Sequence, residues 1–381
     1  MPSFASLVPL AMSLVGSGLL LWAAWLMRRR AAARDPGAPH PAPAISLLKP
    51  LYGAEPRLRD NLAGALDQDY PAPVEVICGV ADADDPAAAV ARSLPVRLVV
   101  DPRRRGRNAK VSNLANIAAV ARHDVIVLAD SDMAVPRDYF GRLAGALASP
   151  GVGAVTCLYV GRGDAGFWSR LVAAGIDSHF VPASEIGLAT GLGHPCMGST
   201  IAMRRETLDS IGGFAAFADV LADDHAIGAA VRETGQSVAV PAMVLVHGCA
   251  EASFAALARQ ELRWNATIAG IDPSGYAGSI VLHPLPLAIV ASLIGGKAAG
   301  AFAIALALVA RGAVALAAAR LDFGGRSWRD RLTALALVPF RDLLSFALFL
   351  ASFAVRSVDW RGTSLNLGRQ GRLTAHEDQN T

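Results

Sequence analysis

Cysteine is scarce and scattered. The 381 residues hold four (Cys78, Cys157, Cys196 and Cys249), with no Cys-x-x-Cys pair and no His/Cys cluster. That argues against a disulfide framework and against structural zinc, and leaves reduced thiols as the reading. Strong charge of one sign is missing as well. The formal net charge is +3 and arginines do not interleave with aromatics, which removes the signature of a nucleic-acid binder. No internal repeat divides the chain.

Apolar residues are in excess, 53% of the total, and the excess is localised. Residues 7–27 carry no charge and reach the ~20 residues needed to span a bilayer. Arg28, Arg29, Arg30 and Arg34 follow at once. A secretory signal has its charges before the apolar run and a cleavage site after it. The order here is reversed, so the segment reads as a signal anchor. The positive-inside rule puts the N-terminus outside and everything after Arg28 in the cytosol, on the inner (cytoplasmic) membrane of a multi-pass protein.

The chain parses into an anchor over 1–30, a Pro-rich linker over 31–44, a soluble domain over 45–275, membrane segments over 276–358 and a polar cytosolic tail over 359–381. Spans are expected at about 278–296 and 298–319. A third apolar segment, 334–355, contains Pro339, Arg341 and Asp342, and as a full span it would put Arg356, Arg361, Arg369 and Arg372 outside. Proline breaks helices, buried charge costs several kcal/mol, and the positive-inside rule is violated. A re-entrant or interfacial segment with a cytosolic C-terminus is therefore expected.

The soluble domain alternates apolar runs ("AISLLKPL", "VEVICGVA", "VRLVVD", "DVIVLAD") with amphipathic stretches ("PRLRDNLAGALDQ", "NLANIAAVARH"). Strands apolar on both faces, separated by helices, predict an α/β domain with a mostly parallel sheet covered on both sides. Ligands in such sheets bind at the carboxyl ends of strands. Three acidic clusters fall where this rule directs attention: Asp82, Asp84 and Asp85; Asp130 and Asp132; Asp223 and Asp224. Singly, each has a plain explanation, a turn before Pro86 or a helix N-terminus. Together they point to a shared ligand. Asp-x-Asp at a strand end suits a hard divalent cation, Mg²⁺ or Mn²⁺, shared with a diphosphate. Upstream, "DPRRRGRNAKVSNLAN" supplies Lys110 and Asn113 at a helix start, placed to meet a phosphate or a base edge. In "FAALARQELRWNAT", Gln260, Arg263 and Trp264 share one helix face at i, i+3 and i+4.

Asp85, Asp130-Ser131-Asp132, Asp224 and Gln260-Glu261-Leu262-Arg263-Trp264 form an ordered set. It resembles the D, D, D, (Q/R)xxRW signature of processive-type family 2 and ceramide-glucosyltransferase-like glycosyltransferases. "ISLLKPLYGAEPRLRDNL", "DADDPA", "GGF" and "LADDHAIGAAV" bring the text closer to the ceramide glucosyltransferase branch. It is also similar to bacterial glycosyltransferases associated with hopanoid biosynthesis. The resemblance covers about residues 45–275. It implies a GT-A fold (the Rossmann-like nucleotide-diphospho-sugar transferase fold), a UDP-sugar donor, a divalent metal and inversion. By position it assigns the nucleoside to Asp85, the metal and diphosphate to Asp130 and Asp132, the general base to Asp224, and closure over diphosphate and acceptor to Gln260, Arg263 and Trp264. Asp132 and Gln260 depart from ceramide enzymes that lack the second acid or carry arginine.

The expected activity is transfer of a hexose or N-acetylhexosamine to a hydroxyl of a membrane lipid. The Ala/Arg-rich composition favours a hopanoid polyol over ceramide. Two alternatives stand beside it. A processive polysaccharide synthase needs a longer bundle of spans than two or three C-terminal segments supply. A nucleotide-binding transporter or receptor would use charges within the membrane, yet Arg311, Arg341 and Asp342 form no obvious pathway in the sequence.

Overall fold

The computed structural model describes residues 4–295 and 297–355, with the backbone of 357–360, 363–367 and 373–375. In chain order the elements begin with α1 (Phe4–Ala32), β1 (Ile45–Pro50), α2 (Leu58–Leu66), β2 (Val74–Val80), α3 (Pro86–Arg92) and β3 (Arg97–Val100). They continue through α4 (Ala109–Ala118), β4 (Val125–Leu128), β5 (Met133–Ala134), α5 (Tyr139–Leu147), β6 (Val152–Thr156) and β7 (Leu158–Gly163). Next come α6 (Phe167–Gly175), a π turn, α7 (Val181–Thr190), β8 (Ile201–Arg204), α8 (Arg205–Ser210), α9 (Asp223–Glu233), β9 (Ser237–Ala239) and β10 (Val244–Cys249). The remainder is α10 (Phe254–Ile271), α11 (Pro273–Gly278), α12 (Pro284–Ile294), α13 (Lys297–Leu321), α14 (Trp328–Ser352), β11 (Ser357–Trp360), β12 (Thr363–Leu367) and β13 (Leu373–Ala375). These fall into two compact units, one of Ala33–Asp164 with His194–Ala250, the other of Met1–Ala32, Ala165–Gly193 and Glu251–Thr381.

The first unit is built on a seven-stranded sheet in the order β3-β2-β1-β4-β8-β6-β9. β1, buried at all six positions, is paired in parallel to β2 and β4 on its two sides. Alternation along it sends Ile45 and Leu47 to the face covered by α2, α3 and α5, and Leu48 to the face covered by α4 and α9. The expected parallel sheet carries one reversed strand, β8, antiparallel to both β4 and β6. Strand order reverses at β1, so the carboxyl ends of β1 and β4 form the topological switch point where such sheets take ligands. A smaller sheet, β5-β10-β7, stands beside it, and its β10–β5 pairing puts His247 opposite Met133.

The second unit is helical. Among the described residues, three of its helices are long and apolar enough to cross a membrane, over Ala5–Ala32, Lys297–Leu321 and Trp328–Ser352. α1 packs against α12 and α13. A Cβ on Gly16 would lie 1.8 Å from the Val281 carbonyl oxygen, and Ser13 Oγ donates to the Pro284 carbonyl at 2.8 Å, so contact there is backbone-close.

Two expectations about the membrane segments are corrected. The segment 334–355 is not re-entrant in form, because α14 runs unbroken through Pro339 for 25 residues. The bend lies earlier, where the helical stretches Pro273–Leu282 and Pro284–Ile294 meet at 67°. Pro284 explains the position, since it disfavours helical backbone at His283, which takes φ −110° and ψ 60°. The charges thought to expel 334–355 are matched. Arg341 meets Glu261, and Asp342 lies 2.6 Å from Arg311 and 3.3 Å from His179. The polar tail expected over 359–381 lies largely outside the described residues, and its described backbone forms the antiparallel sheet β11-β12-β13.

Candidate active site

The switch point of the first unit collects charge. Lys49, fully buried at the end of β1, donates from Nζ to the Asp130 carbonyl at 2.9 Å, bracing the turn that follows β4. Lys110, in the first turn of α4, places Nζ 2.6 Å from Asp130 Oδ1 and 3.8 Å from Asp223 Oδ2. α4 starts where it does because Asn108 caps it, accepting from Val111 N at 3.0 Å and donating to the Val220 carbonyl at 2.8 Å. That second bond ties α4 to the loop before α9, and so brings Lys110 to the acids of α9. Asp224 Oδ2 accepts the Gly198 N–H at 2.9 Å. Three of the expected residues, Lys110, Asp130 and Asp224, thus converge beside Gly198, where a Cβ would lie 2.9, 3.4 and 3.5 Å from their polar atoms.

Asp132 turns to a different cation. Its Oδ2 lies 3.1 Å from His247 Nε2, and the register of β10 against β5 makes this pairing possible. Burial raises the Asp130 carboxyl above its ordinary value against the pull of Lys110, and Asp132 adds to the rise. Burial acts on Asp132 in the same direction, but the His247 imidazolium, then Lys110 and Lys49, outweigh it and hold its carboxyl low. Burial also works to deprotonate Lys110, and is overcome by Asp130 and Asp223, so the ammonium persists. Asp223 is pushed up to about 6 by burial first, with Asp224 and Asp130 adding to the shift against Lys110.

The remaining expected residues have other engagements. Asp85 caps α3 through Ala87 N at 2.8 Å and accepts Gly53 N–H at 2.9 Å, so its carboxylate already holds the loop after β1. Asn113 donates to the Gly79 carbonyl at 2.8 Å, a bond that packs α4 on β2. Within the arginine run, Arg103 pairs with Asp101 and Arg105 donates to Asn116. Gln260, Arg263 and Trp264 lie on α10 in the second unit, where Arg263 donates to Gln260 Oε1 at 2.9 Å. Lys49, His247 and Gly198 were not anticipated. A lysine inside an apolar strand and a histidine closing "VLVH" were the available signals.

The acids fit a hard cation. Asp132 Oδ1 is buried with no hydrogen-bond partner, and Gly198 is flanked by carboxylate oxygens of Asp130 and Asp224 as well as by the Lys110 ammonium. A second group, His179, His283 and Asp342 in the helical unit, has ligand atoms within 4.8 Å of one another. Arg311 lies against Asp342 there and donates to the Ser178 and Leu282 carbonyls. That carboxylate is already neutralised, and a dication would add two uncompensated charges in buried surroundings. In the first cluster four acids, Asp130, Asp132, Asp223 and Asp224, stand against the paired cations Lys110 and His247, so a dication there would meet net negative charge.

A Rossmann-like mixed sheet with Asp-x-Asp after its switch-point strand defines the GT-A glycosyltransferase fold. More particularly, the chain belongs to glycosyl transferase family 21, whose profile matches residues 8–373. It is similar to the ceramide glucosyltransferase of Komagataella phaffii, with 28% identity over 133 residues covering 32% of this chain and 26% of that protein. Ceramide glucosyltransferase 1 of Caenorhabditis elegans is 25% identical over 210 residues, 52% of this chain and 44% of that protein. The matches thus span less than half the length of these curated relatives. Among solved structures, a mannosyltransferase from Pyrobaculum calidifontis in complex with GDP-Man and Mn²⁺ shares the fold, at TM-score 0.51 and 22% identity over 92% of this chain and 97% of that one.

Proposed function

We propose that this protein is an inverting, metal-dependent glycosyltransferase moving a hexose or N-acetylhexosamine from a UDP-sugar to a hydroxyl of a membrane lipid. The observation that carries the reading is the convergence of Lys110, Asp130 and Asp224 beside Gly198 at the switch point of a family 21 chain. Asp130 and Asp132 would hold Mg²⁺ or Mn²⁺, which supplies charge neutralisation to a departing diphosphate. Lys110 binds the same diphosphate. Asp224, with Oδ2 aimed by the Gly198 N–H, takes the proton of the attacking hydroxyl. Asp223 is the less suitable base, being buried to 5% exposure under Lys110 and Asn108. Asp85 serves the donor's nucleoside, and Gln260, Arg263 and Trp264 its diphosphate and the acceptor, on the strength of their match to the signature; Asn113, beside Lys110 at the start of α4, is assigned to the donor by its position, to meet a phosphate or a base edge. One base without a covalent carboxylate partner suits a single in-line displacement.

The names of the curated relatives support a lipid acceptor, and the Ala/Arg-rich composition favours a hopanoid polyol over ceramide. The arginines at the C-terminal end of α1 support an inner-membrane protein with its catalytic unit in the cytosol. The test is transfer in nanodiscs from a panel of UDP-sugars to hopanoid polyol or ceramide, read by mass spectrometry. A single sugar increment that EDTA abolishes and Mn²⁺ or Mg²⁺ restores is expected. A ladder of products would instead mark a polysaccharide synthase, and intact donor under all conditions a binding protein.

A further inference from the structure

Arg341 and Glu261 read in the sequence as isolated charges, one in an apolar segment and one inside the signature. The structure joins them. Arg341 Nη1 and Nη2 donate to Glu261 Oε1 and Oε2 at 2.8 and 2.6 Å, a fork-to-fork pair with both residues under 10% exposed. Gly175 of α6 completes the enclosure, because a Cβ there would lie 2.3 Å from Arg341 Nη2. Three helices, α6, α10 and α14, therefore close on one ion pair, and glycine at 175 leaves the guanidinium its space.

Glu261 stands between Gln260 and Arg263 on α10. Successive helical residues are about 100° apart, so pinning Glu261 inward fixes the direction in which Gln260, Arg263 and Trp264 project. All three are part-exposed, while Glu261 is buried. A buried ion pair is poor evidence of stabilisation, since neutral groups of like volume often serve as well. A two-point fork does fix rotation about a helix axis. We propose that Glu261 and Arg341 are the positioning pair of the signature helix, through which the membrane-length helix α14 sets the orientation of Arg263 and Trp264. This rests on the donor role proposed above for those two residues.

The test uses the full chain in nanodiscs. In Glu261→Gln/Arg341→Gln both charges go, with the shape kept at 261 and a shorter amide at 341, so the melting temperature should fall little while kcat/KM for the donor falls about 10²-fold, as for a misplaced binding group. Arg263→Ala should itself lose transfer. Adding the glutamine pair to Arg263→Ala should cost clearly less than it costs the parent chain, because one of the two groups that the pair positions is already gone. Equal losses in both backgrounds, or normal kinetics beside a defective Arg263→Ala, would overturn the positioning role alone. Full transfer by Arg263→Ala would overturn the donor reading instead. Should the glutamine pair fail to fold, Glu261→Asp keeps the charge and draws the fork back by one methylene. It should lose about tenfold in kcat/KM, with the same reduced loss behind Arg263→Ala.

Discussion

Lys110→Met keeps the side-chain stem and deletes the ammonium, so it asks whether lysine is the resident counter-ion of the acidic cluster. At an effective dielectric of about 20, an ammonium 2.6 Å from Asp130 gains roughly 6 kcal/mol, and 3.8 Å from Asp223 roughly 4. Desolvation of several kcal/mol per ion stands against this. Removing one partner of such a group typically costs about 3–5 kcal/mol, which at ~2–4 °C per kcal/mol lowers the melting point by roughly 6–20 °C. A divalent cation should take over part of the lost role. At one hundred times its Kd it returns about 2.7 kcal/mol by mass action. Thermal unfolding of detergent-solubilised protein, followed by intrinsic fluorescence, should therefore show a large deficit in EDTA that Mn²⁺ narrows, with a smaller Mn²⁺ response in wild type. A variant melting with wild type in EDTA would show that Lys110 does not balance the cluster. A deficit indifferent to Mn²⁺ would remove the cation from it.

Asp224→Asn should lower turnover by roughly 10²–10⁴-fold with UDP-sugar affinity nearly intact, and near-normal transfer would move the base to Asp223. Gly198→Ala puts a methyl 2.9 Å from the flexible Lys110 ammonium, so stability should change by under ~1 kcal/mol while transfer falls at least tenfold by the loss of space between the carboxylates; undiminished transfer would refute that geometry. Asp223, raised to about 6 when folded against ~3.9 unfolded, binds more proton in the folded state between those values. Stability of the metal-free chain should therefore fall as pH rises from about 4 through 6, and Asp223→Asn should flatten that slope in melting measurements. An unchanged slope would assign it to another group.

Much of the first unit was legible because its signals are local. Strands such as Ile45–Pro50 are apolar on both faces, Asn108 and Asp85 sit at helix starts, and the acids follow strand ends. What escaped depends on pairing at a distance. His247 meets Asp132 only because β10 pairs with β5, and β8 is four residues long, too short to show a period. In the sequence Arg341 and Asp342 look like a penalty in the bilayer, since no local pattern tells that Glu261 and Arg311 face them. The bend was assigned to Pro339 rather than to His283 for the same reason: a proline inside a helix is tolerable when neighbours hold the segment, as they do for α14.

The close seating of α1 has a consequence for the order of synthesis. Gly16 rests against the Val281 carbonyl and Ser13 bonds to that of Pro284, partners made 271 residues later in the second case. At about 5–20 residues per second, α1 waits roughly 15–55 s in the bilayer before they exist. During that interval the Ser13 hydroxyl faces whatever the membrane or the insertion machinery provides, and the first unit emerges in full. α1 is thus made long before these contacts can form. A substitution such as Gly16→Leu should leave insertion of α1 untouched and show its damage only after α12 has been made.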